Sequence, residues 1–450
     1  MELEPLSIFG TSSDSGKSTL SFVIAKIIQD MGYSVAPFKA QNVSNNAVVC
    51  DDGGEIAVAQ YFQASILGIK TSYHINPILL KSGRKNSASL IIEGKVINTT
   101  DVREYYKNLD RLKPIVKKSF RYLYNSYDCV VCEGAGSPVE LNLMDKDLSN
   151  IYIATEFKTK IILVADIEKG GVFASIWGVY NLLPEELRGR VIGVVINKFR
   201  GDLTLFDKGI DIIENEFKIP VLGVLPYIPF NLGFEDSQSL KNYQQTYNKD
   251  AFRIGVIAYP TMSNYNDFEP LIADENIYLE FISSNISLES FDKIILSGSK
   301  LVIKDLEWLK EVGLFDRLKN RNREILGICG GYQMMFNKII DTDCIETDTP
   351  KIVEGLGFID DNIIFQKDKI VKRGEYNIFG KTINGFEIHY GISKKYPLFY
   401  KRDNISGTFV HGLFEDDKFL KYKEKSVNSF VQTMKDRLDI NRIMEAISFK

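Results

Sequence analysis

Two stretches of this 450-residue chain carry side chains whose types and spacing could do chemistry. In IFGTSSDSGKSTL, residues 8–20, Gly16, Lys17 and Ser18 form the end of a phosphate-binding loop of the G-x-x-x-x-G-K-[ST] kind. Gly10 sits one residue too early for that pattern, and Thr11 holds its slot. A helix start presenting backbone N–H groups would hold phosphate oxygens, Lys17 would neutralise the β and γ phosphates, and the Ser18 hydroxyl would reach Mg²⁺. In EILGICGGYQMM, residues 324–335, Cys329 falls between an apolar strand and a helix beginning near Gly330. Such a turn exposes the thiol, and the helix start lowers its pKa, which is what a nucleophile needs. A general base must accompany it, and the sequence offers three histidines, His74, His389 and His411.

Other charged and polar residues stand where strands end. Lys39 and Lys81 are cations suited to a carboxylate substrate or a γ-phosphate. Glu133 follows the apolar run CVVC, a position from which a carboxylate would hold Mg²⁺. Glu55, with Asp52 in reserve, would supply a second acid, although Asp52, Gly53 and Gly54 also read as a plain turn. Asp166 closes IILVAD beside Gly170 and Gly171, where it would touch metal or substrate, and Asn197 closes VIGVVIN.

The elements that must position these residues alternate. LSIFG, SVAPFK, DCVVCEG, KIILVAD, RVIGVVIN and PVLGVLPY read as short buried strands, with helical periodicity between them; KSTLSFVIAKIIQDMG is the first such helix. Continuous apolar strands separated by helices predict a parallel sheet covered on both faces, with ligands at the carboxyl ends of the strands. Residues 237–251, SQSLKNYQQTYNKDA, are polar and aperiodic and read as a linker. A second α/β pattern follows in FRIGVIAYP, IYLEFI, KIILSGS, EILGICGG and GTFVHGLF, then a charged helical tail from about residue 416. The expected organisation is therefore α/β in two domains, 1–236 and 252–450, each a mostly parallel sheet with helices on both faces.

Bulk composition narrows the classes. Hydrophobic residues make up 44% and charged residues 25%, an ordinary globular balance, and a net charge of −4 argues against nucleic acid as a main partner. No apolar run approaches a membrane span, and MELEPLSIFG lacks a basic leader, so no membrane partner and a cytoplasmic location are expected. The five cysteines, at 50, 129, 132, 329 and 344, show no paired-ligand spacing; Cys129 and Cys132 lie in a buried strand pattern, and a reducing compartment fits best.

The offset loop G-T-x-[ST]-D-x-G-K-[ST] resembles that of the dethiobiotin synthetase family, which includes ATP-dependent amidases of corrin carboxylates. PFKAQNVSNNA, DDGGEIAVAQ, NPILLK, CEGAGSPVELNL, VADIEKGGVFAS, INKFRGD and PVLGVLPY follow in order, and together they resemble the cobyric acid synthase family. Ala40 stands where that family commonly has proline, and Ser15 where it has alanine. By this resemblance Thr11, Ser13, Asp14, Gly16, Lys17 and Ser18 bind nucleotide, and Asn197 takes the place of a base-reading asparagine, or else caps its strand. Ser18, Glu55 and Glu133 are the expected metal ligands, and Lys39, Lys81 and Asp166 are expected to meet substrate or phosphate. ICGGYQ resembles the class I glutamine amidotransferase signature G-[IV]-C-x-G-x-Q, which implies a flavodoxin-like fold with Gln333 against glutamine. GTFVHGLF puts His411 at the family's base position, and ILSGSK puts Gly298 at the glycine turn that shares an oxyanion hole with Gly330. Leu413 replaces the glutamate of the usual H-x-E, so a Cys–His dyad is expected, oriented by another group such as Glu387.

The resemblance implies ATP and Mg²⁺ with no tightly bound organic cofactor. The reaction it implies is glutamine-dependent amidation of adenosylcobyrinic acid a,c-diamide at carboxyls b, d, e and g, with the corrinoid as substrate. Two rivals stand beside it. Cobyrinic acid a,c-diamide synthase shares the architecture; a regulatory P-loop ATPase with a dead amidotransferase tail would not need an intact Cys329, Gln333 and His411.

Overall fold

The computed structural model describes residues 3–82, 87–107, 109–228, 230 and 251–449. The proposed linker 237–251 lies outside the described residues except for Ala251. The chain divides into two compact units, Met1–Ser44 with Ala59–Asn231 and Glu424–Lys450, and Asn45–Val58 with Leu232–Lys423. Two stretches thus depart from the linear division expected above. Residues 45–58 pack with the second unit, and the C-terminal residues from 424 pack with the first.

The first unit is built on a six-stranded sheet in the order 221–226, 191–199, 160–166, 6–10, 129–133, 35–38. Every pairing in it is parallel. Leu6–Gly10 and Cys129–Glu133 are buried along their whole length, which is why their sequences are apolar throughout rather than alternating. Strand Leu6–Gly10 lies where the order reverses, so the loop after it opens into the crevice that such sheets offer ligands. A second, mixed sheet of strands 41–43, 78–82, 87–92 and 95–101 belongs to the same unit. The tail is helical over Asp417–Lys435 and Ile440–Ile447. It returns to the edge of the sheet, where Asp439 N–H donates to Leu222 O at 2.8 Å. Gly223 is required there, because a Cβ would lie 2.2 Å from Arg437 O.

The second unit's main sheet runs 277–282, 252–257, 293–296, 324–328, 405–408, 399–402. Its first five strands are parallel in a 2-1-3-4-5 order, and the antiparallel strand Phe399–Arg402 covers the edge. Between the last two parallel strands comes an inserted four-stranded sheet, 351–354, 336–341, 359–378, 381–392. Its long hairpin turns on Phe379 and Gly380, both at positive φ (53° and 83°), as a two-residue hairpin loop demands. A short hairpin, Ala47–Val49 with Glu55–Ala57, also belongs to this unit.

Candidate active sites

In the first unit the loop after Leu6–Gly10 passes into helix Lys17–Asp30 through Gly16, which has φ 100°. A side chain at Gly16 would meet Asn197 Nδ2 at 2.0 Å, and one at Gly10 would lie 2.7 Å from both Lys17 Nζ and Ser12 O. The two glycines therefore keep a cradle of backbone open. Lys17 curls over it, with its ammonium on Ser12 O at 3.0 Å. Ser15 Oγ is buried with no hydrogen-bond partner among the described residues. Thr11 N–H donates to Val164 O at 2.9 Å, and Asn197 Nδ2 donates to Ser15 O at 2.9 Å, so strand ends on either side fix the loop. Ser13 and Asp14 are exposed, Asp14 at φ 58°. Lys198 donates to Asp14 O at 2.6 Å and to Asp166 Oδ2 at 3.0 Å.

Glu133 gathers the rest of this site. Its Oε1 accepts from Ser18 Oγ at 2.6 Å and from Lys39 Nζ at 2.7 Å. Its Oε2 accepts from Gln60 at 3.3 Å and Gln63 at 3.2 Å. A buried carboxylate is stable only when paired and hydrogen-bonded, and Lys39 with two carboxamides and a hydroxyl meets that requirement. Serine hydroxyl beside carboxylate is an oxygen donor set of the kind Mg²⁺ takes, so these residues fit the ion. Lys81 is buried on strand Ile78–Ser82 of the mixed sheet.

Glu55, the third expected metal ligand, is buried on the short hairpin of the second unit, with its Oε2 on Lys369 Nζ at 2.7 Å. The apparent turn Asp52-Gly53-Gly54 is a turn, its Gly53 at φ 80°. Asp52 accepts from Cys50 Sγ at 2.9 Å within it. Among the described residues no group of three or more His, Cys, Asp or Glu could hold a metal ion. Cys129 and Cys132 are buried in their strand, and burial pushes both thiols up, Cys129 to about 12. His74 Nδ1 lies 3.1 Å from Ser119 Oγ, and its ring stacks on Tyr122, which makes it a packing residue.

In the second unit Cys329 ends strand Glu324–Ile328 with φ 49° and ψ −104°, a strained elbow before helix Gly330–Met334. A Cβ at Gly330 would lie 2.5 Å from Ser299 N, and one at Gly298 would lie 3.4 Å from His411 Cε1. The two oxyanion candidates are thus brought to the elbow and the histidine respectively. Strand Gly298–Ser299 is held by Met262–Ser263, antiparallel. Gln333 Oε1 is buried without a hydrogen-bond partner among the described residues and faces Gly391.

His411 is buried, and its Nδ1 lies 2.6 Å from Asp267 Oδ2. Asp267 Oδ1 accepts from Gly412 N–H at 3.0 Å, which fixes the carboxylate. Burial alone would lower the imidazole; the Asp267 carboxylate and the Cys329 thiol outweigh it and raise His411 to about 10. The dyad expected above is therefore extended: Asp267 orients the histidine. Glu387 does not, because it pairs with His389 Nε2 at 3.3 Å. His389 Nδ1 lies 2.7 Å from Gly391 O, and its ring stacks on Phe409, so this histidine ties strand to sheet. Asp267 sits in SNYNDFEPL, 144 residues before His411, and no spacing rule links them.

The sign of the His411 shift gives a pH prediction. A raised folded pKa contributes stability that is full below about 6.5 and lost as pH rises through about 10. Asp267→Asn removes the main raising charge and leaves burial in control. Glutamine hydrolysis should fall by about 10²- to 10⁴-fold. The alkaline limb of its pH profile should also move to lower pH. An unmoved limb in a pH–rate series would show that Asp267 does not set the protonation of His411.

Comparison with known proteins accords with this two-site arrangement. Residues 6–232 match the CobQ/CobB/MinD/ParA nucleotide binding domain, and residues 253–419 match the CobB/CobQ-like glutamine amidotransferase domain. The chain is 62% identical to the cobyric acid synthase of Acinetobacter baylyi, over 98% of this chain and 99% of that protein. It is 37% identical to a probable cobyric acid synthase of Picrophilus torridus, over 99% of this chain and 100% of that protein. The figure is 38% for the cobyric acid synthase of Clostridium botulinum strain ATCC 19397, over 94% of this chain and 90% of that one. At this identity and coverage, the chain belongs to the cobyric acid synthase family, glutamine-dependent amidating ligases that join a nucleotide-binding domain to an amidotransferase domain.

Proposed function

We propose that this protein amidates carboxyls b, d, e and g of adenosylcobyrinic acid a,c-diamide, in the cytoplasm, using ATP and glutamine. One observation carries the reading: a single chain holds both a Ser18–Glu133–Lys39 cluster at a phosphate-binding loop and a Cys329–His411–Asp267 set at a nucleophile elbow. The first suits carboxylate activation. The loop backbone and Lys17 bind the triphosphate, while Lys39 and Lys81 draw the substrate carboxylate toward the γ-phosphate, and Asp166 and Lys198 brace the loop from below. Substrate oxygen attacks phosphorus, ADP leaves, and an acyl phosphate forms. Ser18 and Glu133 would hold Mg²⁺, which supplies charge neutralisation between the phosphates.

The second set suits release of ammonia. The Cys329 thiolate attacks the carboxamide carbon of glutamine, and the N–H groups of Gly298 and Gly330 receive the oxyanion. Gln333 Oε1, a buried acceptor, suits the substrate's ammonium. Collapse expels ammonia with a proton from His411, leaving a γ-glutamyl thioester that water then hydrolyses with His411 as base. Ammonia displaces phosphate from the acyl phosphate to give the amide.

The test is mass spectrometry of products after incubation with ATP, glutamine and cobyrinic acid a,c-diamide. Stepwise amidation of the b, d, e and g carboxyls is expected. Amidation of cobyrinic acid itself, with the a,c-diamide left untouched, would assign the chain to the a,c-diamide reaction instead.

A further inference from the structure

The strand beside the nucleophile elbow is short, and it is held from behind. Gly298–Ser299 pairs antiparallel with Met262–Ser263, a ladder of two residues on each side. So small a ladder is marginal on its own. Its position nevertheless matters to the chemistry. With a Gly330 Cβ only 2.5 Å from Ser299 N, the backbone at Ser299 packs directly on the elbow, and Gly331 N–H donates to Ser297 O at 2.9 Å.

The support is a carboxylate. Asp305 lies in the first turn of helix Val302–Glu311 and is fully buried. Its Oδ2 accepts from Ser299 Oγ at 2.5 Å and from Thr261 Oγ1 at 2.7 Å, and its Oδ1 accepts from Thr261 N–H at 3.2 Å. One side chain thus ties together the segments that form the two strands of the ladder. Thr261 completes the clamp. Its Oγ1 accepts from Leu301 N–H at 3.0 Å, and its O accepts from Lys300 N–H at 2.9 Å.

Burial pushes the Asp305 carboxyl above its ordinary value, against the pull of the hydrogen bonds from Ser299 and Thr261. A buried charge is tolerated only with such partners, and removing it would orphan three donors beside the elbow at once. Among the described residues Asp305 bonds to neither Cys329 nor His411. Any effect it has on the reaction is therefore exerted through the strand.

We propose that Asp305 is a positioning residue for glutamine hydrolysis: through Thr261 and Ser299 it fixes strand Gly298–Ser299, so that the backbone donor of that strand meets the oxygen that becomes negative when Cys329 attacks the carboxamide. Preorganised donors of this kind act on the transition state rather than on the bound amide, so their alignment counts in kcat and little in KM. The proposal rests on the reading of Cys329 as nucleophile, which loss of hydrolysis in Cys329→Ala tests separately.

The experiment compares Asp305→Ala, Thr261→Val and Thr261→Ser with the wild type. It measures kcat and KM for glutamine hydrolysis, inhibition by glutamate γ-semialdehyde, alkylation of Cys329 by iodoacetamide, and ammonia-driven amidation. Addition of the thiol to the aldehyde forms a carbon–sulfur bond and passes the thiol proton to the former carbonyl oxygen, which then sits where the oxyanion would. Iodoacetamide alkylates sulfur by displacing iodide and needs no oxyanion donor. Asp305→Ala should lower kcat about 10²-fold, as loss of an oxyanion donor does, and weaken the aldehyde by the same factor. Thr261→Val keeps the shape and the N–H but loses the hydroxyl, and should lower both roughly tenfold, the worth of one net hydrogen bond. Thr261→Ser keeps the hydroxyl and should recover what Thr261→Val loses. KM, iodoacetamide alkylation and ammonia-driven amidation should stay at wild-type values. If Asp305→Ala loses ammonia-driven amidation through misfolding, the Thr261 pair decides by the same criterion. The proposal is overturned if Thr261→Val keeps the wild-type kcat, or if kcat falls without a matching loss of aldehyde affinity. It is equally overturned if alkylation slows in step with kcat, since the elbow itself would then be disturbed.

Discussion

Cys329→Ala is expected to lose glutamine hydrolysis and glutamine-driven amidation together, by on the order of 10⁴- to 10⁶-fold, as nucleophile removal does in hydrolytic triads. Ammonium salts at high pH should restore product, because free ammonia reaches the acyl phosphate without the thioester. The reason lies in where the residue sits. Cys329 is at the elbow of the second unit, and its neighbours are Ile388, Gly330 and the His411 side, none of which belongs to the phosphate site. His411→Ala should follow the same pattern with more residual activity, since a thiol at a helix start is partly ionised without its base. Leu413→Glu, which would recreate the usual H-x-E, should bring no gain, because Asp267 already holds Nδ1 at 2.6 Å. Three rates per variant decide the matter: glutamine hydrolysis, glutamine-driven amidation and ammonia-driven amidation. A folded Cys329→Ala protein without the ammonia-driven rate would mean that the two sites are not separable.

Much of this arrangement is legible in the sequence, and the parts that are not share a cause. The parallel strands announce themselves because both faces are buried: CVVCE and KIILVAD contain little else but apolar residues until the last position. Nucleophile and phosphate loop are legible because each depends on consecutive residues in one turn. What escapes is contact across long separations. Asp267 meets His411, Asn46 meets Asn264 and Gln60 meets Glu133 only after folding, and none of these residues carries a spacing signal. The Glu55–Lys369 pair escapes for the same reason: its stretch reads as part of the phosphate domain, yet the hairpin groups with the second unit, where the carboxylate meets Lys369. The inserted sheet is hidden differently. Strand Ile359–Ile378 is polar at many positions, and its hairpin turns on Phe-Gly rather than the usual Asn-Gly, so neither alternation nor turn chemistry marks it.

Lys17→Ala is the complementary case, since it should abolish amidation with either nitrogen source. Both routes need the acyl phosphate, and its formation depends on the ammonium that lies over the loop against Ser12 O. Loss of one preorganised charge aimed at a transferring phosphoryl group costs on the order of 10²- to 10³-fold in rate, and charge-assisted contacts to phosphate are among the strongest polar ones. Glutamine hydrolysis without ATP and corrinoid should persist, because nothing at Cys329 depends on Lys17. The variant should fold, as the backbone of the loop is held by Thr11, Asn197 and Gly16 rather than by the lysine. Glu133→Gln sharpens the reading. It keeps the shape of a group bonded to Ser18, Lys39, Gln60 and Gln63 but removes the charge that pairs with Lys39 and would hold Mg²⁺. Its amidation rate should fall and recover in part at high Mg²⁺, whereas Lys17→Ala should not respond to the ion. Near-wild-type ammonia-driven amidation in Lys17→Ala would remove the loop from the mechanism. An unchanged Mg²⁺ dependence in Glu133→Gln would leave that carboxylate a structural hub that only ties strand, helix and loop together.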